Sequence, residues 1–384
     1  MTTIGILGGG QLGRMLALVG YPLGARFRFL DPAPDAPMRF LAEQVCAHYD
    51  DVNALEQFAD ELDVVTYEFE NVPVTSAHYL QERVTIFPPA DALRVAQDRY
   101  EEKSFFNSLG IPTPRFTRVN SLLELESAIE QIHLPAVLKT RRFGYDGKGQ
   151  FVIETQSDAE RAWQSIGSGS CILEEWIDFT RELSLLAVRN REGARAFYPL
   201  VENHHREGIL RLSLAPAPNL FSALQAQAED YAERVLDALN YVGVIAIEWF
   251  QVGERLLANE LAPRVHNSGH WTMEGAATSQ FENHLRAILG LPLGAVTTRG
   301  HSAMMNLIGE LPDLNALLQI PGAHLHLYDK APRPGRKLGH VTIVERNEET
   351  RNERLEQVAK IINRESTRTG MALRREISRK DGSK

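Results

Sequence analysis

An apolar strand that runs into a glycine turn and then a helix, GILGGGQLGRM at residues 5–15, constrains the fold of this chain more than any other stretch. The first ninety residues repeat that alternation. Strand-like runs stand at Thr3–Leu7, Phe27–Leu30, Val45–Ala47 and Val64–Tyr67, with helical patterns after Gly10 and near Ala54–Leu62. Alternating strands and helices pack as βαβ units on a parallel sheet, which predicts a Rossmann-like domain over residues 1–95. Gly8, Gly10 and Gly13 fit G-x-G-x-x-G, and Asp31 follows Gly13 by 18 residues, where a dinucleotide fold keeps its ribose-binding acid. Alone, this motif says NAD and a dehydrogenase, a reading that quenching of protein fluorescence by NADH would support.

Composition narrows the ligands. With 384 residues, 43% hydrophobic and 24% charged, the chain has the make-up of a folded protein of two or three domains. Its formal charge of −9 argues against nucleic-acid and membrane partners and leaves small molecules, although a local basic cluster can still hold an anion. Cys46 and Cys171 lie far apart without a CxxC, the first residues lack a basic leader, and no run of about 18 apolar residues occurs. These features predict a cytoplasmic location and no zinc site.

Beyond the first domain, the proline turn at IFPP predicts one helix over about Asp91–Leu109, stopped by Gly110 with Pro112 and Pro114 beyond. Residues 96–186 read as this linker helix and a small α+β lobe. In the lobe, helices are expected at Leu122–Gln131 and Ser157–Ile166, and strands at Ala136–Lys139, Gln150–Ile153 and Cys171–Glu174. Residues 187–384 read as a larger lobe. It has strands at Leu183–Val188 across the boundary, Ala196–Pro199, Gly243–Phe250 and Arg255–Asn259, and helices near Ala223–Leu239 and Ser279–Ile288. A β-rich segment follows at His301–Val344, then a charged tail, helical to about Asn363.

Three stretches carry chemistry. In VLKTRRFGYDGKGQF, Lys139 ends a strand before a loop whose glycines let backbone amides approach phosphate oxygens; it lacks the spacing of a Walker loop. A glycine-rich hairpin with surface basics reads the same residues without a ligand. CILEEWIDFTRELSLL sets Glu174, Glu175 and Glu182 around an extended segment, suited either to an adenine edge and a ribose hydroxyl or to a solvated acidic face. GVIAIEWFQVGERLLANELAPRVHNSGHW puts Glu248 inside an apolar strand, where an unpaired carboxylate costs several kcal/mol. A hairpin would bring Glu248, Asn259 and Glu260 together as hard oxygen ligands for Mg2+.

Lys139, the GYDGKGQ loop, EEWI and the Glu248, Asn259 and Glu260 set resemble the ATP-grasp superfamily. More narrowly, GGGQLGRM, YEFENVP, RRFGYDGKGQ, APRVHNSGHW and YDKAPRPGRKLGH, in that order between about residues 3 and 344, resemble the N5-carboxyaminoimidazole ribonucleotide synthetases. The tail past Val344 matches no motif of that family. The resemblance implies α/β and α+β domains in an ATP-grasp fold, preceded by a parallel-sheet pre-ATP-grasp domain that binds no NAD. It implies a carbon–nitrogen ligase of purine biosynthesis that carboxylates 5-aminoimidazole ribonucleotide (AIR) with bicarbonate and ATP through carboxyphosphate, with Mg2+ or Mn2+, as a homodimer.

Site residues carry over with it. ATP would meet Arg99, Lys139, Gly144, Tyr145, Asp146, Gly147, Lys148, Gly149, Gln150, Glu174, Glu175, Trp176, Ile177, Glu182, His205, Asn259 and Glu260. His205, in VENHHREGIL, reads by itself as a surface histidine. Glu248 and Glu260 would hold the metal. Lys139, Arg264 and His266 would be catalytic, Arg264 gripping bicarbonate or carboxyphosphate as a planar fork. AIR would meet Gly10, Gln11, Leu12, Glu68, Tyr145, Arg264, His266, Asn267 and Ser268, with Lys330, Arg336 and Lys337 on its phosphate. The glycine turn would face this substrate with open amides, and Asp31 would hold no ribose. Rivals are a sister ligase that activates formate for glycinamide ribonucleotide, told apart by which acid stimulates ATP hydrolysis, and a silent nucleotide-binding regulator, against which Lys139, Glu248, Glu260 and Arg264 argue.

Overall fold

A computed structural model describes residues 2–144, 148–166 and 169–362. The N-terminal part comprises β1 (Thr3–Leu7), α1 (Gln11–Gly20), β2 (Arg26–Leu30), β3 (Glu43–Val45), α2 (Val52–Ala59), β4 (Val64–Tyr67) and α3 (Val74–Gln81). Its strands run parallel in the order β3-β2-β1-β4. Ile4 of the central strand pairs with Phe27 on one side and Val64 on the other, all three buried. Near-continuous apolar strands are what a sheet covered on both faces needs. The carboxyl ends of β1 and β4 therefore open on one edge, where such sheets place ligands.

The helix expected over 91–109 is two helices, α4 (Ala90–Ala96) and α5 (Arg99–Ser108). Asp98 divides them: its backbone is extended and its carboxylate accepts the N–H groups of Tyr100 and Glu101 as an N-cap. The same carboxylate pairs with Arg141 at 2.8 Å and Arg142 at 3.3 Å, which ties the start of α5 to the next lobe. That lobe contains β5 (Phe116–Val119), α6 (Leu122–Ile132), β6 (Ala136–Thr140), β7 (Gln150–Ile153), α7 (Ala159–Ile166) and β8 (Cys171–Glu175). They form an antiparallel sheet in the order β5-β8-β6-β7. β5, four residues between a proline and a helix cap, is too short to show a strand period in the sequence.

The largest sheet, nine strands among the described residues, begins with β9 (Arg181–Arg189), β10 (Arg195–Phe197), β11 (Val201–Arg206) and β12 (Ile209–Ala215). Then come α8 (Ser222–Ala238), β13 (Gly243–Val252), β14 (Arg255–Ala262), α9 (Thr272–Gly275), α10 (Gln280–Leu289) and β15 (His301–Ile308). It closes with α11 (Leu314–Leu318), β16 (Ala323–Leu327), β17 (Lys337–Glu345) and α12 (Glu348–Ile362). The strand order is β14-β13-β9-β11-β12-β15-β17-β16, with β10 beside β9. Residue 186, expected as a boundary, lies within β9; the chain leaves the small sheet after Glu175 and joins the large one at Arg181. The β-rich segment from His301 continues the same sheet, because β15 pairs with β12 from Leu212↔Met305 to Ala215↔Ser302. The tail after Ile362 lies outside the described residues.

Candidate active site

The glycine turn between β1 and α1 has a different cause from the one expected. The Gly10 and Gly13 amides donate to the Glu68 carboxylate, and Gly9 donates to Asp31 at 2.8 Å. Two of the protein's own acids thus occupy amides expected to face substrate, a use of the helix N-terminus that needs no external anion. A Cβ at Gly10 would stand 2.3 Å from Glu68 Oε1, and one at Gly9 2.4 Å from the Phe29 ring, so close packing demands the glycines. Burial raises the Glu68 carboxyl above its usual range, against the pull of the Gly13 and Gly10 amides and of Lys330. Asp31 also accepts from Tyr49 and the Ala33 amide, a strand-end acid fully used by the protein.

On the opposite wall, Lys139 at the end of β6 reaches Glu174 Oε2 on β8 at 2.8 Å, and Lys103 of α5 lies 3.3 Å from the same oxygen. Burial works to raise Glu174, yet the two ammonium groups outweigh it and hold the carboxylate at about 2. Arg99 donates to the Thr140 and Gly144 carbonyls, fastening the start of the glycine loop. Glu175 pairs its carboxylate with Arg115 and donates its backbone N–H to the Arg115 carbonyl. Phe179 stacks on Phe250 at 4.7 Å beside Trp176 and Ile177, a flat apolar slot suited to a base. The β11–β12 hairpin brings His205 to Glu182, Nδ1 to Oε2 at 2.8 Å. Burial lowers this imidazole, but the Glu182 bond and the charges of Glu248, Glu182 and Glu260 win and raise it to about 9.

Glu248 and Glu260 face each other in register across β13 and β14, next to a bulge at Glu248/Trp249. Burial and then the Glu260 charge push Glu248 up to about 8. Two carboxylates so placed fit one hard divalent ion that keeps phosphates and water as its other ligands. Among the described residues, no group of three or more His, Cys, Asp or Glu could hold a metal ion by itself.

Just past β14, Arg264 donates through Nε to Glu70 and through Nη1 to the Val265 carbonyl. His266 accepts the Ser268 amide at Nδ1, and its Nε2 stands 3.5 Å from Glu248. That contact is no ion pair, since burial and the neighbouring Arg264 hold the imidazole neutral, well below its usual value. Ser268 is fully buried and bonded to Ser184, and so supports His266 from behind the cleft wall.

These walls enclose one cleft of about 570 Å³, lined from all three sheets. Of the expected residues it takes in Gln11, Leu12, Glu68, Arg99, Lys139, Gly144, Gln150 and the run Glu174–Ile177. Glu182, His205, Glu248, Asn259, Glu260, Arg264, His266, Asn267 and Lys337 complete the set. Gly10, Lys148, Gly149, Ser268, Lys330 and Arg336 stand outside this lining. Lys330 binds Gln11 at its rim and is lowered by burial to about 8, while Arg336 donates to the Ala331 carbonyl of its own loop. Tyr145, Asp146 and Gly147 lie outside the described residues. Sequence reasoning missed Glu70, Glu102 and Lys103. Arg99, Lys103 and Phe106 recur at i, i+4 and i+7 on the inward face of α5, with Glu102 beside them, and a charged pair on that face was the available signal.

Comparison with known proteins places this geometry. Models of the ribonucleotide synthetase preATP-grasp domain, the ATP-grasp domain and the phosphoribosylaminoimidazole carboxylase C-terminal domain match residues 1–97, 104–281 and 302–354. The chain is 53% identical over 359 residues to N5-carboxyaminoimidazole ribonucleotide synthase of Pseudomonas aeruginosa, covering 94% of this chain and 99% of that one. The crystal structure of the Thermus thermophilus synthetase superposes with a TM-score of 0.90 at 57% identity, over 93% of this chain and 98% of that one. The Aspergillus clavatus enzyme, solved with ADP and 5-aminoimidazole ribonucleotide, superposes at 0.88 with 33% identity, over 94% and 99%. The chain belongs to the N5-carboxyaminoimidazole ribonucleotide synthase family of ATP-grasp ligases.

Proposed function

We propose that this protein carboxylates the exocyclic amine of AIR with bicarbonate at the expense of ATP, through carboxyphosphate, in purine biosynthesis. One observation carries the reading: a single cleft holds the Lys139 wall, the Glu248 and Glu260 pair, and the Arg264 and His266 loop side by side. Lys139 and Arg99 would neutralise and orient the ATP phosphates, with the base in the slot beside Phe179 and the ribose against Glu182 and His205. Bound between Glu248 and Glu260, Mg2+ or Mn2+ would supply charge neutralisation for phosphoryl transfer. Glu70 orients the Arg264 guanidinium, which would hold the bicarbonate-derived anion next to the γ-phosphate. Neutral His266, with Nδ1 committed to Ser268, can face the imidazole without repelling it, and Glu68 can meet the amine. Lys337, Lys330 and Arg336 would gather the 5′-phosphate. The family resemblance further supports a homodimer acting in the cytoplasm; no helix of the described residues is long and apolar enough to cross a membrane.

Turnover with 18O-bicarbonate tests the mechanism. Label should pass into inorganic phosphate, because a bicarbonate oxygen attacks the γ-phosphorus. Arg264→Lys should keep ATP binding and lose most labelled turnover, a point charge replacing a planar fork. Unlabelled phosphate from the unaltered enzyme, measured before bicarbonate exchanges its oxygens with water, would rule out carboxyphosphate.

A further inference from the structure

Lys103 sits at the junction of three elements and is 1% exposed. From α5 its Nζ donates to the Asn259 carbonyl on β14 at 3.1 Å and lies 3.3 Å from Glu174 Oε2 on β8, the oxygen that also takes Lys139. β14 is an outermost strand of its sheet, so one edge of its backbone has no strand neighbour among the described residues. Two successive α5 residues fill that edge: Glu102 accepts the Leu261 amide, and Lys103 donates to the Asn259 carbonyl. They grip the strand on either side of Glu260. Glu174 is thus one negative charge shared by two positive ones, and its other oxygen is buried with no hydrogen-bond partner among the described residues.

The geometry points to Lys103 as a positioning residue for the nucleotide: by sharing Glu174 with Lys139, it leaves part of the Lys139 charge free to meet phosphate. The inference rests on the reading of this cleft as an ATP site. Without Lys103, Lys139 is the one ion-pair partner left to Glu174 among the described residues, and the carboxylate draws that ammonium away from the phosphates.

A double-mutant cycle with ADP as the probe tests this. Lys103→Met should weaken ADP binding about tenfold, roughly 1.4 kcal/mol, while KM for AIR stays within about twofold. On a Glu174→Gln background, where no carboxylate competes for Lys139, the same substitution should change ADP affinity less than about threefold. An equal loss on both backgrounds, no loss on the native one, or an equal rise in the KM for AIR would overturn the proposal. Should Lys103→Met fail to fold on the native background, Lys103→Gln takes its place in the same cycle, with the same expected and overturning results. AIR-dependent ADP release by the unaltered chain is read separately, and its absence would reject the carboxylation reading without touching the cycle.

Discussion

Glu260 meets two demands at once: it must fold against Glu248 across the hairpin and present its charge to the cleft. Glu260→Gln should lower kcat at least about a hundredfold, since lost charge stabilisation costs several kcal/mol in the transition state. Near-normal turnover at saturating Mg2+ would remove it from the metal site. Glu248 was legible in the sequence because an acid inside VIAIEWF needs a reason, whereas Lys103 hid among the charges of an ordinary helix. His284 gives a cleaner electrostatic test. It is fully buried, takes the Val244 amide at Nδ1 and contacts Thr66 Oγ1 at Nε2, and burial lowers it to about 3. The unfolded chain binds a proton at this histidine below about pH 6.5 and the folded one does not, so its contribution is full above that value and lost as pH falls. The stability advantage of the native chain over His284→Gln should shrink by about 1.4 kcal/mol per pH unit between roughly 6.5 and 4.5. Denaturant melts at several pH values would show it, and a constant difference would contradict it.

At the scale of elements, the glycine turn teaches the most. The motif identified a strand–turn–helix correctly, but its glycines serve the Glu68 carboxylate and the Phe29 ring. No sequence pattern distinguishes an amide held by an internal acid from one open to phosphate. Gly10→Ala would push its Cβ into Glu68 and should destabilise the fold by about 1–3 kcal/mol, read from chemical denaturation; an unchanged midpoint would show that Glu68 can move aside. The 330–337 loop tests the substrate end. Arg336→Ala should raise the KM for AIR far more than that for ATP, and a rise confined to ATP would assign the loop to the nucleotide. The β11–β12 hairpin escaped notice because VENHHR mixes polar residues without clean alternation. His205 therefore looked like a surface residue until the pairing placed it on Glu182.

Across the whole molecule, three sheets converge on one cleft, with α5 as the bridge between them. Periodicity made the parallel sheet and the small lobe legible, since each has an apolar core of its own, whereas the core that β1 and α1 share with β13 and α10 has no local signature. The continuity of the last three strands with β12 was not legible, because pairing between segments about ninety residues apart depends on tertiary packing rather than local pattern. This cleft joins ATP cleavage to carboxylation of AIR. ADP release by the purified chain, measured with Mg2+ and ATP while AIR and bicarbonate are added or omitted, tests it most directly. Release should require both and fall to background without AIR. Release stimulated instead by formate and glycinamide ribonucleotide, or indifferent to AIR, would contradict it.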